Sequence, residues 1–119
     1  MTSASPKKVV IVGHSERPEA PVVASQAVGW LRKHGHAPVA QEVDIRSLGL
    51  DVDLCTAADI ASAELVLSIG GDGTMLRSVT MLNGAAVPVL GINVGLLGYL
   101  AEVEPEQLVS SLERFFAGD

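Results

Sequence analysis

The chain is predicted to fold as an α/β three-layer sandwich on a mainly parallel sheet, and three features of its 119 residues carry that prediction. Short β-branched runs alternate with amphipathic stretches of helical period. The spacing of these runs is that of successive strand–helix–strand units. The turn Gly70-Gly71-Asp72-Gly73-Thr74 lies between an apolar run and a helical stretch, the position from which open parallel sheets reach their ligands.

Lys8-Val9-Val10-Ile11-Val12-Gly13 is a first buried strand, rich in Val and Ile and closed by glycine. A polar loop, His14-Ser15-Glu16-Arg17-Pro18, leads into a helix from Glu19 to His34. Val23, Ala27, Trp30, Leu31 and His34 share one face of that helix. Pro21 suits its first turn and Gly35 its stop. Ala37 to Val43 is a weaker second strand. Asp44 to Asp59 lacks a clear period and is expected to be loop, with one short helix near its end. Glu64 to Ile69 is a buried strand, Thr74 to Asn83 a helix, and Val87 to Asn93 the next strand. Pro105 to Ala117 carries Leu108, Val109, Leu112, Phe115 and Phe116 on one stripe, with Pro105 opening the helix and Gly118 following it.

Residues 1–7 are expected to be a flexible lead and residues 8–119 a single domain, without internal repeats. Fourteen acidic against eight basic side chains leave a net charge of −6, which argues against non-specific nucleic-acid binding. The one cysteine, Cys55, excludes an internal disulfide and a Cys-cluster metal site, and reads as a small apolar residue. The apolar run Val87–Leu90 and its glycine-broken continuation to Leu100 are too short to span a bilayer. The expected setting is cytoplasmic, with no membrane partner.

Three glycines in the Gly70–Thr74 turn would permit positive φ and bring bare backbone close to a ligand. The N–H groups and dipole of the following helix favour phosphate. Asp72 is odd there, since a carboxylate repels phosphate; it suits a hydroxyl proton, or a metal ion travelling with the phosphates. A bare Asp-Gly turn is the plainer reading of such a pair. The full sequence of strand, glycines, Asp, Thr and helix, with Arg77 one turn in, favours a site beside phosphate. It is neither the dinucleotide fingerprint nor the phosphate loop with Lys before Ser/Thr.

Gly70-Gly71-Asp72-Gly73-Thr74-Met75-Leu76-Arg77, then Val87-Pro88-Val89-Leu90-Gly91-Ile92-Asn93, then Gly95-Leu96-Leu97-Gly98-Tyr99-Leu100, resembles the amino-terminal domain of NAD kinases. The first element is shared with diacylglycerol and sphingosine-type lipid kinases and with phosphofructokinases, so it marks a superfamily. The second and third elements are more specific, because lipid kinases carry a Pro-x-Gly-Thr-x-Asn segment there. Leu96 and Tyr99 depart mildly from the family pattern, which often has a polar or basic residue and Phe. The family's β-rich carboxyl-terminal domain, with much of the pocket for NAD, has no counterpart in this chain.

The resemblance implies a Rossmann-like sandwich and phosphoryl transfer from ATP, or polyphosphate, to the 2′-hydroxyl of the adenosine ribose of NAD. Carried over by position, Asp72 is the proton acceptor and Gly73 sets backbone against the nucleotide. Gly70, Gly71 and Thr74 complete that loop, and Arg77 is a contact to phosphate or ribose. Asn93 either reaches the ligand or is a strand-end turn residue. Arg17 is the best of the first-loop residues, with His14 and Ser15, for a donor phosphate. The divalent cation, Mg2+ by expectation, arrives with ATP, since no dedicated ligand cluster is visible. His34 and His36 flank a helix end and suit its dipole rather than a metal, while Trp30, Phe115 and Phe116 read as core or interface. The chain alone is expected to turn over poorly and to need the missing carboxyl-terminal domain or a second copy. The alternatives are a catalytically silent nucleotide-binding or interaction module and, less favoured, a lipid-kinase-type domain.

Overall fold

A computed structural model describes residues 7–13, 18–94 and 103–118. Strands β1 (Lys8–Gly13), β2 (Ala37–Ala40), β3 (Asp53–Leu54), β4 (Leu65–Gly70) and β5 (Val89–Asn93) form one sheet in the order β3-β2-β1-β4-β5. Every pairing is parallel. Between the strands run helices α1 (Glu19–Lys33), α2 (Glu42–Leu48), α3 (Ala57–Ser62) and α4 (Asp72–Leu82); a 3-10 turn, Pro105–Gln107, leads into α5 (Leu108–Phe116).

Alternation along β1 and β4 builds the three layers. Val9, Ile11, Leu65, Leu67 and Ile69 face one core with Ala24, Ala27 and Leu31 of α1 and Leu108 and Leu112 of α5. Val10, Val12 and Val66 face the other, with Leu82 of α4 and Ile60 of α3. Successive side chains point to opposite faces, so a strand apolar at every position must be covered on both.

Helix α1 ends as its glycine requires. Gly35 has φ +82°, its N–H donates to Arg32 O at 3.2 Å, and the His36 N–H donates to Leu31 O at 2.8 Å. These paired bonds satisfy carbonyls that the helix end would leave open. His34 lies past the last turn and is exposed, so it does not share the buried face of Val23, Ala27 and Leu31. Val109 is likewise 43% exposed. At 100° from Leu108, it falls outside the stripe that Leu108, Leu112 and Phe115 form.

The segment from Asp44 to Asp59 is more regular than its sequence suggests. Helix α2 occupies its first part, to Leu48, and begins at Glu42, which also shortens β2 to Ala37–Ala40. Its buried positions are Asp44 and Leu48, while Val43 is exposed. A buried acid and an exposed valine invert the polarity on which periodicity depends. β3 is two exposed residues at the sheet edge, too short for a pattern. Helix α3 is the short helix expected near the end of the segment.

Helix α3 is closed by a reciprocal cap. The Asp59 N–H donates to Thr56 Oγ1 at 3.1 Å, and the Thr56 N–H donates to Asp59 Oδ2 at 2.9 Å. Lys8 Nζ adds a bond to Asp59 Oδ1 at 2.9 Å and ties the cap to β1. The Thr56 N–H first, and Lys8 second, hold the Asp59 carboxyl below its ordinary 3.8. Such a group stabilises the fold fully above its unfolded value and loses that contribution as pH falls through the lower folded value. Two outcomes are expected. Thr56→Ala should lower stability by about 1 kcal/mol in urea unfolding at neutral pH. Asp59→Asn should flatten the pH dependence of the melting temperature below 3.8 relative to wild type.

Candidate active site

The strand order reverses between β1 and β4, because the chain moves outward from β1 to β2 and β3 and then returns to β4 on the other side. Loops leaving the carboxyl ends of two such strands diverge to opposite faces and open a crevice. Gly13 ends β1 and Gly70 ends β4 at that edge. Asn93, the last residue of β5, is in register with Gly70, and the Val94 N–H donates to Gly70 O at 3.0 Å. The chain returns at Val103, whose N–H donates to Gly91 O and whose carbonyl accepts from the Asn93 N–H, both at 2.8 Å.

At the turn, Gly71 is the N-cap of α4 and Asp72 its first helical residue. The helix therefore starts two residues before the expected Thr74, because the glycine itself supplies the cap position. Asp72 is half-buried and is not the capping residue of its own helix. None of the three glycines has positive φ: the left-handed glycines of the described residues are Gly35, Gly49, Gly84 and Gly118. The expectation of positive φ at this turn is therefore corrected, and Gly70 differs from Gly71 and Gly73 in its surroundings. A Cβ on Gly70 would stand 2.3 Å from Thr74 Oγ1 and 2.8 Å from Thr74 Cβ. Thr74 is buried over that gap, and its carbonyl accepts from Ser78 Oγ at 2.8 Å. Gly70 is thus explained by internal packing. A Cβ on Gly71 or Gly73 would meet nothing within 4 Å among the described residues. Nothing among the described residues requires these two to be glycine.

Arg77 is not held out toward the turn. Its Nη2 lies 2.5 Å from Asp44 Oδ1 and 3.4 Å from Gly13 O, and its Nη1 lies 3.5 Å from Asp44 Oδ2. The side chain read as a phosphate or ribose contact is engaged with a buried carboxylate and the end of β1. Sequence reasoning missed Asp44, whose partner lies 33 positions away and whose burial no local pattern announces. The structure thus gathers Gly70–Thr74 and Asn93 at one sheet edge, with Arg77 braced beneath. Arg17, His14 and Ser15 lie outside the described residues, as do the Met1–Pro6 lead and Gly95 to Leu100.

His36 and Glu64 precede β2 and β4, at the opposite end of the sheet. His36 Nδ1 is 3.1 Å from Glu64 Oε1, and its ring stacks on Phe116 at 3.9 Å between centroids. Trp30 stacks on His34 at 4.0 Å. Trp30, Phe115 and Phe116 accordingly pack at the rim of the core, far from the glycine turn. No group of three His, Cys, Asp or Glu side chains among the described residues is arranged to hold a metal ion. Burial, then the Asp59 charge, push the Cys55 thiol up to about 11. It is a protonated, unreactive group at neutral pH. No helix among the described residues is long and apolar enough to cross a membrane.

An open parallel sheet with a glycine-rich strand-to-helix turn at its order reversal defines a doubly wound α/β domain, a class whose ligands bind at that edge. The chain belongs to a particular family of such domains. Residues 9–119 match the model of the ATP-NAD kinase N-terminal domain. The chain is 32% identical over 114 residues to an NAD kinase of Geobacter metallireducens, covering 95% of this chain and 40% of that protein. Against an NAD kinase of Mycobacterium bovis it is 42% identical over 78 residues, covering 64% of this chain and 25% of the other. Yeast NADH kinase, solved in complex with NADH, shares the fold at a TM-score of 0.80 and 19% identity, over 96% of this chain and 39% of that one. An NAD kinase from Archaeoglobus fulgidus, solved with ATP, has a TM-score of 0.63 at 19% identity, over 92% and 36%. The chain thus spans about two fifths of the full-length relatives it matches.

The two kinds of glycine should separate by mutation. Gly70→Ala should destabilise the fold by about 1–3 kcal/mol, since its new methyl overlaps a buried threonine. Gly73→Ala, inside the first turn of α4 and facing open space, should leave the urea midpoint unchanged or raised.

Proposed function

We propose that this chain is the half of an NAD kinase that presents the catalytic carboxylate. The reaction is phosphoryl transfer from ATP, or polyphosphate, to the 2′-hydroxyl of the adenosine ribose of NAD, giving NADP in the cytoplasm. One observation carries the reading. Asp72 opens a helix at the strand-order reversal, flanked by Gly71 and Gly73, whose missing side chains would meet nothing among the described residues. Bare backbone of that kind suits the close approach of a nucleotide.

The transferred phosphoryl passes through a loose transition state, so the protein's work is positioning and electrostatics rather than covalent chemistry. Asp72 accepts a hydrogen bond from the ribose hydroxyl, orients it toward the phosphorus and takes its proton late. The backbone of Gly71 and Gly73 lets the sugar and phosphates lie against α4, whose first N–H groups favour their negative charge. Asn93, beside Gly70 in the sheet, contributes a polar side chain to the same edge. Arg17 meets donor phosphate from the first loop. Asp72 and Asn93 offer hard oxygen atoms of the kind that Mg2+ accepts, and they are too few to hold it alone. These two side chains would lie beside a divalent ion brought with ATP, which would supply neutralisation of phosphate charge. The remaining wall of the site comes from the carboxyl-terminal part that the relatives possess, or from a second copy.

Asp72→Asn in the full protein that contains this chain should lower kcat by about 10²–10⁴-fold, with NAD affinity little changed by calorimetry. Near-normal turnover in an NADPH-linked assay would remove Asp72 from this role. The competing reading, a catalytically silent nucleotide-binding module, requires wild type to bind NAD without forming NADP. Product formed only after the carboxyl-terminal part is added supports the kinase reading.

A further inference from the structure

Asp44 is an acid in an unusual place. It sits in the first turn of α2 with no solvent exposure. Its Oδ1 accepts from the Gly13 N–H at 3.0 Å and from Arg77 Nη2 at 2.5 Å, and its Oδ2 faces Arg77 Nη1 at 3.5 Å. Arg77 Nη2 also reaches the Gly13 carbonyl at 3.4 Å. Both peptide groups of Gly13 are therefore gripped, the N–H by Asp44 and the carbonyl by Arg77.

Gly13 and Arg77 belong to the two elements that border the crevice. Gly13 is the last residue of β1, where the chain departs into the first loop. Arg77 is in the second turn of α4, the helix that Asp72 opens. Gly13 also sits hard against β4, since a Cβ there would stand 2.6 Å from Ile69 O. The Asp44–Arg77 pair thus joins the exit of β1 to the body of α4 across the strand-order reversal. Stability alone explains this poorly: buried ion pairs roughly break even with, or lose to, apolar packing of the same volume. What the pair supplies is direction, through a bidentate grip with a defined geometry.

We propose that Asp44 is a positioning residue of the phosphoryl-transfer site. Through Arg77 it fixes α4, and with it Asp72, relative to the carboxyl end of β1. This role rests on the NAD kinase reading above. It also gives Arg77 a different task from direct phosphate contact, and the two tasks predict different kinetics. Misplacing reacting groups by about 1 Å costs on the order of 10²-fold in rate. Losing a ligand contact would instead raise the Michaelis constant of the donor.

The test is a double-mutant cycle on the full protein that contains this chain, with turnover referred to folded protein by circular dichroism. Asp44→Asn and Arg77→Met should each lower kcat by about 10–100-fold, with the KM values for NAD and ATP moving little. The double mutant should be no worse than the weaker single variant, because both substitutions break one interaction. Folded Asp44→Asn with normal kcat would overturn the proposal. So would additive effects, or a change confined to the KM for ATP. Should Asp44→Asn not fold, Arg77→Lys carries the test: it keeps the charge and loses the two-nitrogen grip. A lowered kcat at unchanged KM supports the role, and a normal kcat overturns it. A wild-type protein that forms no NADP would overturn the functional reading itself, a result distinct from an active wild type with an indifferent Asp44.

Discussion

The approach of β1 to β4 at their carboxyl ends sets the geometry of the edge that carries the glycine turn. At Gly13 the strands run so close that no side chain fits between them, with the Ile69 carbonyl filling the space a Cβ would take. The parallel ladder from Val9–Leu65 to Gly13–Ile69 brings both strands to that edge together. One residue later β4 ends at Gly70, and the register with β5 puts Asn93 beside it. The crevice is therefore a consequence of strand pairing, and the glycine turn inherits its position from the sheet. Helix α4 then needs an orientation as well as a starting point, which is where a buried acid and an arginine act.

Glycine serves two ends in this short stretch. Gly13 and Gly70 make room for neighbours in the same chain, a carbonyl in one case and a threonine in the other. Gly71 and Gly73 have no such neighbours among the described residues. Their lack of a side chain leaves bare backbone at the mouth of α4 on the side of the described residues. The distinction matters chemically, because a carboxylate next to exposed backbone and a helix mouth can meet a hydroxyl while phosphate lies on the N–H groups.

The two ends of the sheet divide their labour. The carboxyl edge carries Asp72, Asn93 and the Asp44–Arg77 brace, all polar groups. The amino edge is closed by stacked rings, Trp30 with His34 and Phe116 with His36, anchored by the contact of His36 with Glu64. Large rings cover the edge of the core there, and their stack joins α1 to α5. Parallel sheets with both faces covered leave only their ends for such differences.

Much of this was legible in the sequence. The β-branched runs of β1 and β4 are buried on both faces, so their composition is a direct record of their environment. The glycine turn was legible for a similar reason, since strand, glycines, carboxylate and helix follow one another along the chain. What stayed hidden has one physical cause. Asp44 is buried because Arg77 and the Gly13 N–H satisfy it, and those partners come from elements far away in sequence. Local polarity therefore misreports α2. The reasons for Gly70 and Gly13 likewise lie in atoms of other elements. A sequence states its own periodicities and turns; which strands lie side by side, and which distant side chain answers a buried charge, is decided only when the sheet closes.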